Sequence, residues 1–399
     1  MNADSDSFRI PKSAIGGVPV IRGSRSPQQI PYPSSGRTAR MMLVRSRSCV
    51  LWSLQSGGFT MKVQTRVLLT AGIVACASLA RGGNVDKANA GVQPAALKLV
   101  QTIVLPGVSG RFDHFDVDAK GHRLFVAALG HNTLEVLDVE AGQRLKSIAG
   151  LHKPTGVLYL ASPDQIGVAN GDDGTFKLFD GTSYALVKSL GSLDDADNVR
   201  FDAKAGTIYV GYGSGSLAAI DAATMKQTGS IKLPAHPESF RLQTQGSQVF
   251  VNIPDAEQIA VIDRQKLSIV ATWPMKEFRA NFPMALDEAN HRLFVGCRKP
   301  ARLVVFDTKT AKVVSDTAIS GDIDDLFYDA TRKRLYLSCG EGFLDVVAQR
   351  DPDHYERTER IVTASGARTS FYSPALDRLW LAVPQRGRQP AEIRTYQPQ

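Results

Sequence analysis

The chain has 399 residues and a formal net charge of +8. The charge is uneven: residues 1–60 carry a net +6, residues 61–90 a net +3, and the remaining 309 residues a net −1. A nearly neutral body removes any electrostatic argument for nucleic acid as a partner; the basic balance belongs to the front of the chain.

Residues 1–60 are rich in Ser, Arg, Pro and Gly, show no period, and hold too little apolar surface to fold. They read as a disordered extension upstream of the true start at Met61, the alternative being a disordered cytoplasmic arm. Residues 61–90 read as a secretory signal peptide: Lys62 and Arg66, an apolar run over 67–75, then small residues with cleavage after Ala80 or Ala90. The apolar run is too short for a membrane-spanning helix. "Ile-Val-Ala-Cys" at 73–76 also resembles a bacterial lipobox, which would make Cys76 a lipid anchor. The expected location is periplasmic or secreted, with an outer-membrane lipoprotein as the alternative.

Residues 97–105, "LKLVQTIVL", predict a strand. From Arg111 to Gln399 a segment of about 42 residues then recurs seven times. "FDVDAKGHRLFVAALGHNTLEVLDVEAG" begins at Phe115, and matching stretches begin at Phe201, Leu286 and Tyr328. In the first unit the strands fall at 114–117, 123–129, 133–139 and 144–148. The second strand reads "RLFVA", "TIYVG", "RLFVG", "RLYLS" and "RLWLA" in different units, an apolar and β-branched run suited to burial on both faces. Asp118, Asp202, Asp287 and Asp329 open the first turn of their units. Asp138, Asp180, Asp221, Asp263 and Asp307 open the third. A short carboxylate there caps backbone N–H groups two residues on, so these aspartates are structural.

A period of 40 to 45 residues with several short strands per unit predicts an all-β fold, a seven-bladed β-propeller with four antiparallel strands per blade over residues 97–399. The first-strand centres are Phe115, Gly156, Asn198, Ser239, Pro283, Asp325 and Thr369. The last unit ends at its third strand, "AEIRTYQPQ", so the strand at 97–105 is expected to complete that blade and remove an open sheet edge. Cys297 and Cys339 occupy the same position in adjacent units, a spacing that favours two separate buried thiols.

The loops between blades gather on one face around the central channel, where binding residues are expected. They supply Arg111, Asp113 and His114; His152 and Lys153; Asp194, Asp195, Asp197 and Asn198; His236 and Glu238; Arg279 and Asn281; Asp322, Asp324 and Asp325; and Arg368. Ten of them form the expected ligand-binding face: Asp113, His114, His152, Asp195, Asn198, His236, Glu238, Asn281, Asp324 and Arg368. Asp195, Asn198, Glu238, Asn281 and Asp324 would suit a hard divalent cation such as calcium. His114, His152 and His236 would suit copper, zinc or nickel. Solvated loop polarity is the competing reading. "Gly-Asp-Asp-Gly" at 171–174 and "Gly-Ser-Gly-Ser" at 213–216 read as hairpin turns, and no nucleophile elbow or covalent haem motif occurs.

The repeated "RLFV", "TIYVG" and "RLYLS" strands, each followed by "L-x-V-x-D", resemble the YVTN-type β-propeller repeat family. The stretches matching Y-V-T-N itself read "FVAALGHN", "YVGYGSG", "FVNIPDA", "FVGCRKP" and "YLSCGEG". The resemblance implies export and grouping with the propeller chain of quinoprotein amine dehydrogenases and with seven-bladed lactonases. Three functions follow as expectations. The first is a binding or scaffold protein offering its loop face to a protein partner or small molecule. The others are a metal-dependent lactone or ester hydrolase and the propeller subunit of a periplasmic redox enzyme.

Overall fold

Aspartate turns and buried second strands set the architecture. The structure, a computed structural model, describes residues 95–399. The upstream extension, the signal peptide and Cys76 lie outside the described residues. Seven separate four-stranded antiparallel sheets follow one another around a ring. Blades 1 to 6 span residues 115–148, 154–190, 199–232, 240–274, 279–318 and 323–362. Blade 7 takes three strands from residues 370–398 and its outermost from Leu97–Val104. That strand pairs with the C-terminal strand from Leu97 opposite Pro398 to Val104 opposite Glu392. The expected closure of the ring is therefore present.

The turn aspartates do what their spacing predicts. Asp118 accepts backbone N–H groups of Lys120 and Gly121 at 3.2 and 2.9 Å. Asp307 does the same for Lys309 and Thr310 at 2.9 and 2.8 Å. The second strands lie between blades, with Phe125, Phe250, Phe294, Tyr336 and Trp380 fully buried. The closing strand serves two of these layers: Ile103 and Leu105 pack between blades 7 and 1, and Leu97 between blades 6 and 7. Each such side chain contributes about 1.5–3 kcal/mol by leaving water. Cys297 and Cys339 are separate, buried free thiols.

Strand register places the seven first strands on a common scale. Asp116, Leu158, Arg200, Arg241, Ala285, Phe327 and Phe371 all sit opposite the same position of the second strand. Counting back from this level, His114 is the blade-1 counterpart of Gly156 and Asn198, so the blade-1 centre is His114 and not Phe115. One residue earlier the level reads Asp113, Thr155, Asp197, Glu238, Phe282, Asp324 and Arg368. Every one of these seven lines a single cavity at the mouth of the channel.

Candidate functional site

The mouth is built on β-bulges. Asp113 N donates to Ala127 O at 2.9 Å, and Ala127 N donates to His114 O at 3.1 Å, so two residues oppose one. The same pattern sets Asp197 and Asn198 against Gly211, and Glu238 and Ser239 against Asn252. A regular strand sends neighbouring side chains to opposite faces; a bulge re-aims them. Consecutive pairs therefore reach one cavity: Asp113 with His114, Asp197 with Asn198, Glu238 with Ser239, and Asp324 with Asp325.

Blade 2 fixes the loop carrying Asp197. Thr155 Oγ1 donates to Ala196 O at 2.7 Å. A Cβ at Gly156 would lie 2.2 Å from Asp197 O, so only glycine permits this approach. Non-glycine residues in the left-handed region also occur here, in the loops at Lys153 (φ 52°), Asp195 (49°) and Asp322 (57°) and in the first strand of blade 5 at Ala280 (55°). Such backbone costs free energy and concentrates where function holds it in place.

The cavity has a volume of about 250 Å³. Its charges divide into two halves. On the side of blades 5 to 7, Asp324 is flanked by Arg298 and by Arg368 Nε at 3.0 Å, and Arg368 also donates to Asp322 at 2.9 Å. Arg298 lies 3.9 Å from the centre of the Phe282 ring, a cation–π contact that fixes the guanidinium. This half is neutralised internally.

The other half concentrates acid and imidazole. One donor atom each from Asp113, His114 and Asp197 lie within 4.8 Å of one another. His114 Nε2 stands 3.6 Å from Asp113 Oδ1 and 3.8 Å from Asp197 Oδ1. Both separations exceed a hydrogen bond. They match the gap between ligands of one ion, since bonds of about 2.1 Å in tetrahedral array leave donors roughly 3.4 Å apart. Behind Asp197, His236 Nδ1 donates to Gly213 O at 2.7 Å and turns Nε2 toward Asp197 Oδ2 at 3.7 Å.

Protonation follows from this crowding. Burial, then the Asp197 charge, pushes the Asp113 carboxyl up to about 7 against the pull of Arg111. Burial and Asp197 push Glu238 up to about 8. Burial works against charge on His236, but Asp197, the Gly213 carbonyl and Glu238 outweigh it and raise that imidazole to about 9. Burial likewise opposes ionisation of Asp197, yet His236, His114 and Arg111 hold it below its ordinary value. His114 is held down chiefly by burial and so offers a neutral nitrogen. Neutral His114 and ionised Asp197 are already in the forms that bind a cation, and Asp113 would give up its proton on binding.

The ten loop residues expected at the site divide accordingly. Asp113, His114, Asp195, Asn198, His236, Glu238, Asp324 and Arg368 line the cavity. His152 is exposed and outside it. Asn281 is buried behind the wall, its amide donating to Asn252 Oδ1 at 2.9 Å and Gln258 O at 3.2 Å. Asp195 is 54% exposed and paired with Lys153 at 2.9 Å. The structure thus does not gather Asp195, Asn198, Glu238, Asn281 and Asp324 as one ligand set, nor His114, His152 and His236 as another. Among the described residues, Asp113, His114 and Asp197 are the His, Cys, Asp or Glu group with donors this close. Asp197 stood in the loop reading but in neither ligand set. Its signal was the register: it matches Asp113 and Glu238 in their own repeats.

No protein-family profile and no curated protein matches this chain. Among solved structures it is similar to a chain of the crystal structure of the mitotic checkpoint complex. That match covers 84% of this chain and 99% of the other, at 14% identity and a TM-score of 0.65. It is also similar to hydrazine synthase of Kuenenia stuttgartiensis over 70% of this chain and 95% of the other, at 14% identity and a TM-score of 0.60. Likeness at that identity is likeness of fold: the chain is a seven-bladed β-propeller.

Proposed function

We propose that the chain is an exported, YVTN-type propeller that binds a small polar ligand at the channel mouth through a divalent cation. Asp113, His114 and Asp197 would hold the ion, and the cavity beside it would hold the ligand. The carrying observation is the spacing of those three donors, too long for hydrogen bonds and suited to a shared ion. Two carboxylates with one imidazole favour a borderline ion such as zinc, manganese or iron(II) over calcium, which prefers oxygen alone. His236 would orient Asp197 from behind, as carboxylate–imidazole partners do around bound metals. A chelator-stripped protein should take up one zinc or manganese per chain, with a rise in Tm of roughly 5 °C at a hundredfold excess over Kd. Asp197→Ala should abolish both. No uptake and an unmoved Tm would remove the reading.

Metal-assisted lactone or ester hydrolysis is favoured by one further observation. Glu238 lines the same cavity, and burial raises the pKa of its carboxyl, which favours the protonated form. The cation would polarise the carbonyl and acidify the attacking water, whose proton would pass to solvent as hydroxide adds; Glu238 would protonate the departing alkoxide and recover its proton from solvent. Metal-dependent lactone turnover lost in Glu238→Gln supports this; equal turnover in the variant contradicts it. A protein partner is the second reading, supported by the likeness of fold to a chain of the checkpoint complex.

A further inference from the structure

Below the mouth the channel widens into a second cavity of about 360 Å³, which meets the first at His114 and Asp325. Arg200 and Arg241 reach it from the first strands of blades 3 and 4, at the same register level. Each guanidinium carries five N–H donors. Arg200 gives hydrogen bonds to Val199 O at 2.6 Å and Asn198 Oδ1 at 3.3 Å. Arg241 gives one, to Phe240 O at 3.4 Å. Among the described residues neither forms an ion pair, although every other arginine named around the mouth does.

The carboxylates of this cavity are engaged elsewhere. Asp116 accepts from Val117 N at 2.8 Å and Tyr159 N at 2.6 Å. Asp325 accepts from Ser370 N at 2.7 Å. Burial, and for Arg241 the neighbouring Arg200 charge, disfavours both cations, and the charges of Asp116, Asp197 and Asp325 around Arg200 and of Asp325 beside Arg241 offset this only in part. Two like charges side by side in a confined space, with most donors unspent, form an incomplete arrangement that an anion would complete. Beside Ser370 and His114, the remaining wall is apolar and includes Val157, Leu158, Phe201, Phe327 and Phe371.

We infer that the central channel is a binding site for a small organic carboxylate, its carboxylate bridging Arg200 and Arg241 and its apolar body lying against Phe327 and Phe371. The planar fork of arginine suits a carboxylate, and the aromatic wall excludes a strongly hydrated ion such as sulfate as the preferred occupant. This site uses none of the three proposed cation ligands except at its shared edge, His114, so it stands or falls separately from the metal reading.

The test is titration calorimetry of the chelator-stripped protein with benzoate, with benzylamine as the cation of matching shape. Benzoate should bind at one per chain, benzylamine should not, and Arg200→Gln and Arg241→Gln should each weaken benzoate at least tenfold. Absent benzoate binding, or equal binding by folded variants, overturns the inference. Should a variant fail to fold, crystals of the unmodified protein with 4-bromobenzoate decide the matter. A bromine anomalous peak beside Phe327 and Phe371 supports the site; its absence there sinks it.

Discussion

Asp197 and His236 face each other at 3.7 Å across the mouth of the channel, with the far nitrogen of His236 anchored on Gly213 O at 2.7 Å. A carbonyl only accepts, so Nδ1 carries a proton, and Nε2 is left aimed at the carboxylate. The other oxygen of Asp197 turns to His114. One carboxylate therefore lies between two imidazoles, 3.7 Å from His236 and 3.8 Å from His114. Removing the outer imidazole should loosen Asp197 without removing a ligand. His236→Gln is predicted to weaken zinc binding by about 10- to 100-fold while His236-independent folding is retained, read by calorimetry beside a melting curve. Unchanged affinity would mean that His236 does not position Asp197.

The closing strand makes a sharp contrast available within eight residues. Ile103 is 2% exposed and packs between blades 7 and 1, whereas Leu99 is 49% exposed on the outer face. Ile103→Ala is expected to lower unfolding free energy by about 2–4 kcal/mol and Leu99→Ala by less than about 0.5 kcal/mol. Urea denaturation measures both. Equal small effects would show that blade 7 does not depend on this strand.

Acid stability should trace in part to Asp329. This carboxylate is 2% exposed; burial alone would raise its pKa. The backbone N–H of Arg332, the Tyr336 hydroxyl at 2.9 Å and the Arg332 guanidinium at 3.1 Å outweigh burial and hold it below the ordinary range. A depressed folded-state pKa gives stability that is present above the unfolded value, about 3.9, and lost as pH falls through the folded one. Asp329→Asn should therefore show a shallower fall in stability between about pH 5 and pH 2 and cost about 1–3 kcal/mol at pH 6. Parallel pH profiles for variant and parent would contradict the assignment.

Backbone at the mouth offers a stabilising change. Ala280 sits at φ 55° near the start of the first strand of blade 5. A residue with a Cβ pays roughly 1–2 kcal/mol there, and glycine does not. After glycine's own loss of chain entropy, Ala280→Gly should raise stability by about 0.5–1 kcal/mol by denaturant midpoint. A lower midpoint would mean the backbone at Ala280 is not strained.

Architecture was more legible in the sequence than the site, for a physical reason. A repeat of about 42 residues and aspartates at two fixed turns fall out of the chain directly, and "LKLVQTIVL" reads as a strand in need of a partner. Site residues depend on register, and a shift of one residue turns a side chain to the other face. Asn281 was read where its neighbour Phe282 lines the cavity. Bulges compound this, because Asp113 and His114 reach one space that a regular strand would divide between them. Glu238 and Asp324 were found because their charges stand out in loops. Arg200 and Arg241 were missed inside "NVRF" and "SFRL", stretches that begin at the first-strand centres Asn198 and Ser239; their signal was recurrence at one position of adjacent repeats.

Crystals grown with zinc and measured at the zinc absorption edge put the mouth to the most direct trial. An anomalous peak should lie about 2.0–2.2 Å from one oxygen each of Asp113 and Asp197 and from a ring nitrogen of His114. No peak there, or a peak held by Asp195 or Asp324 instead, would contradict the cation site and the ligand binding built upon it.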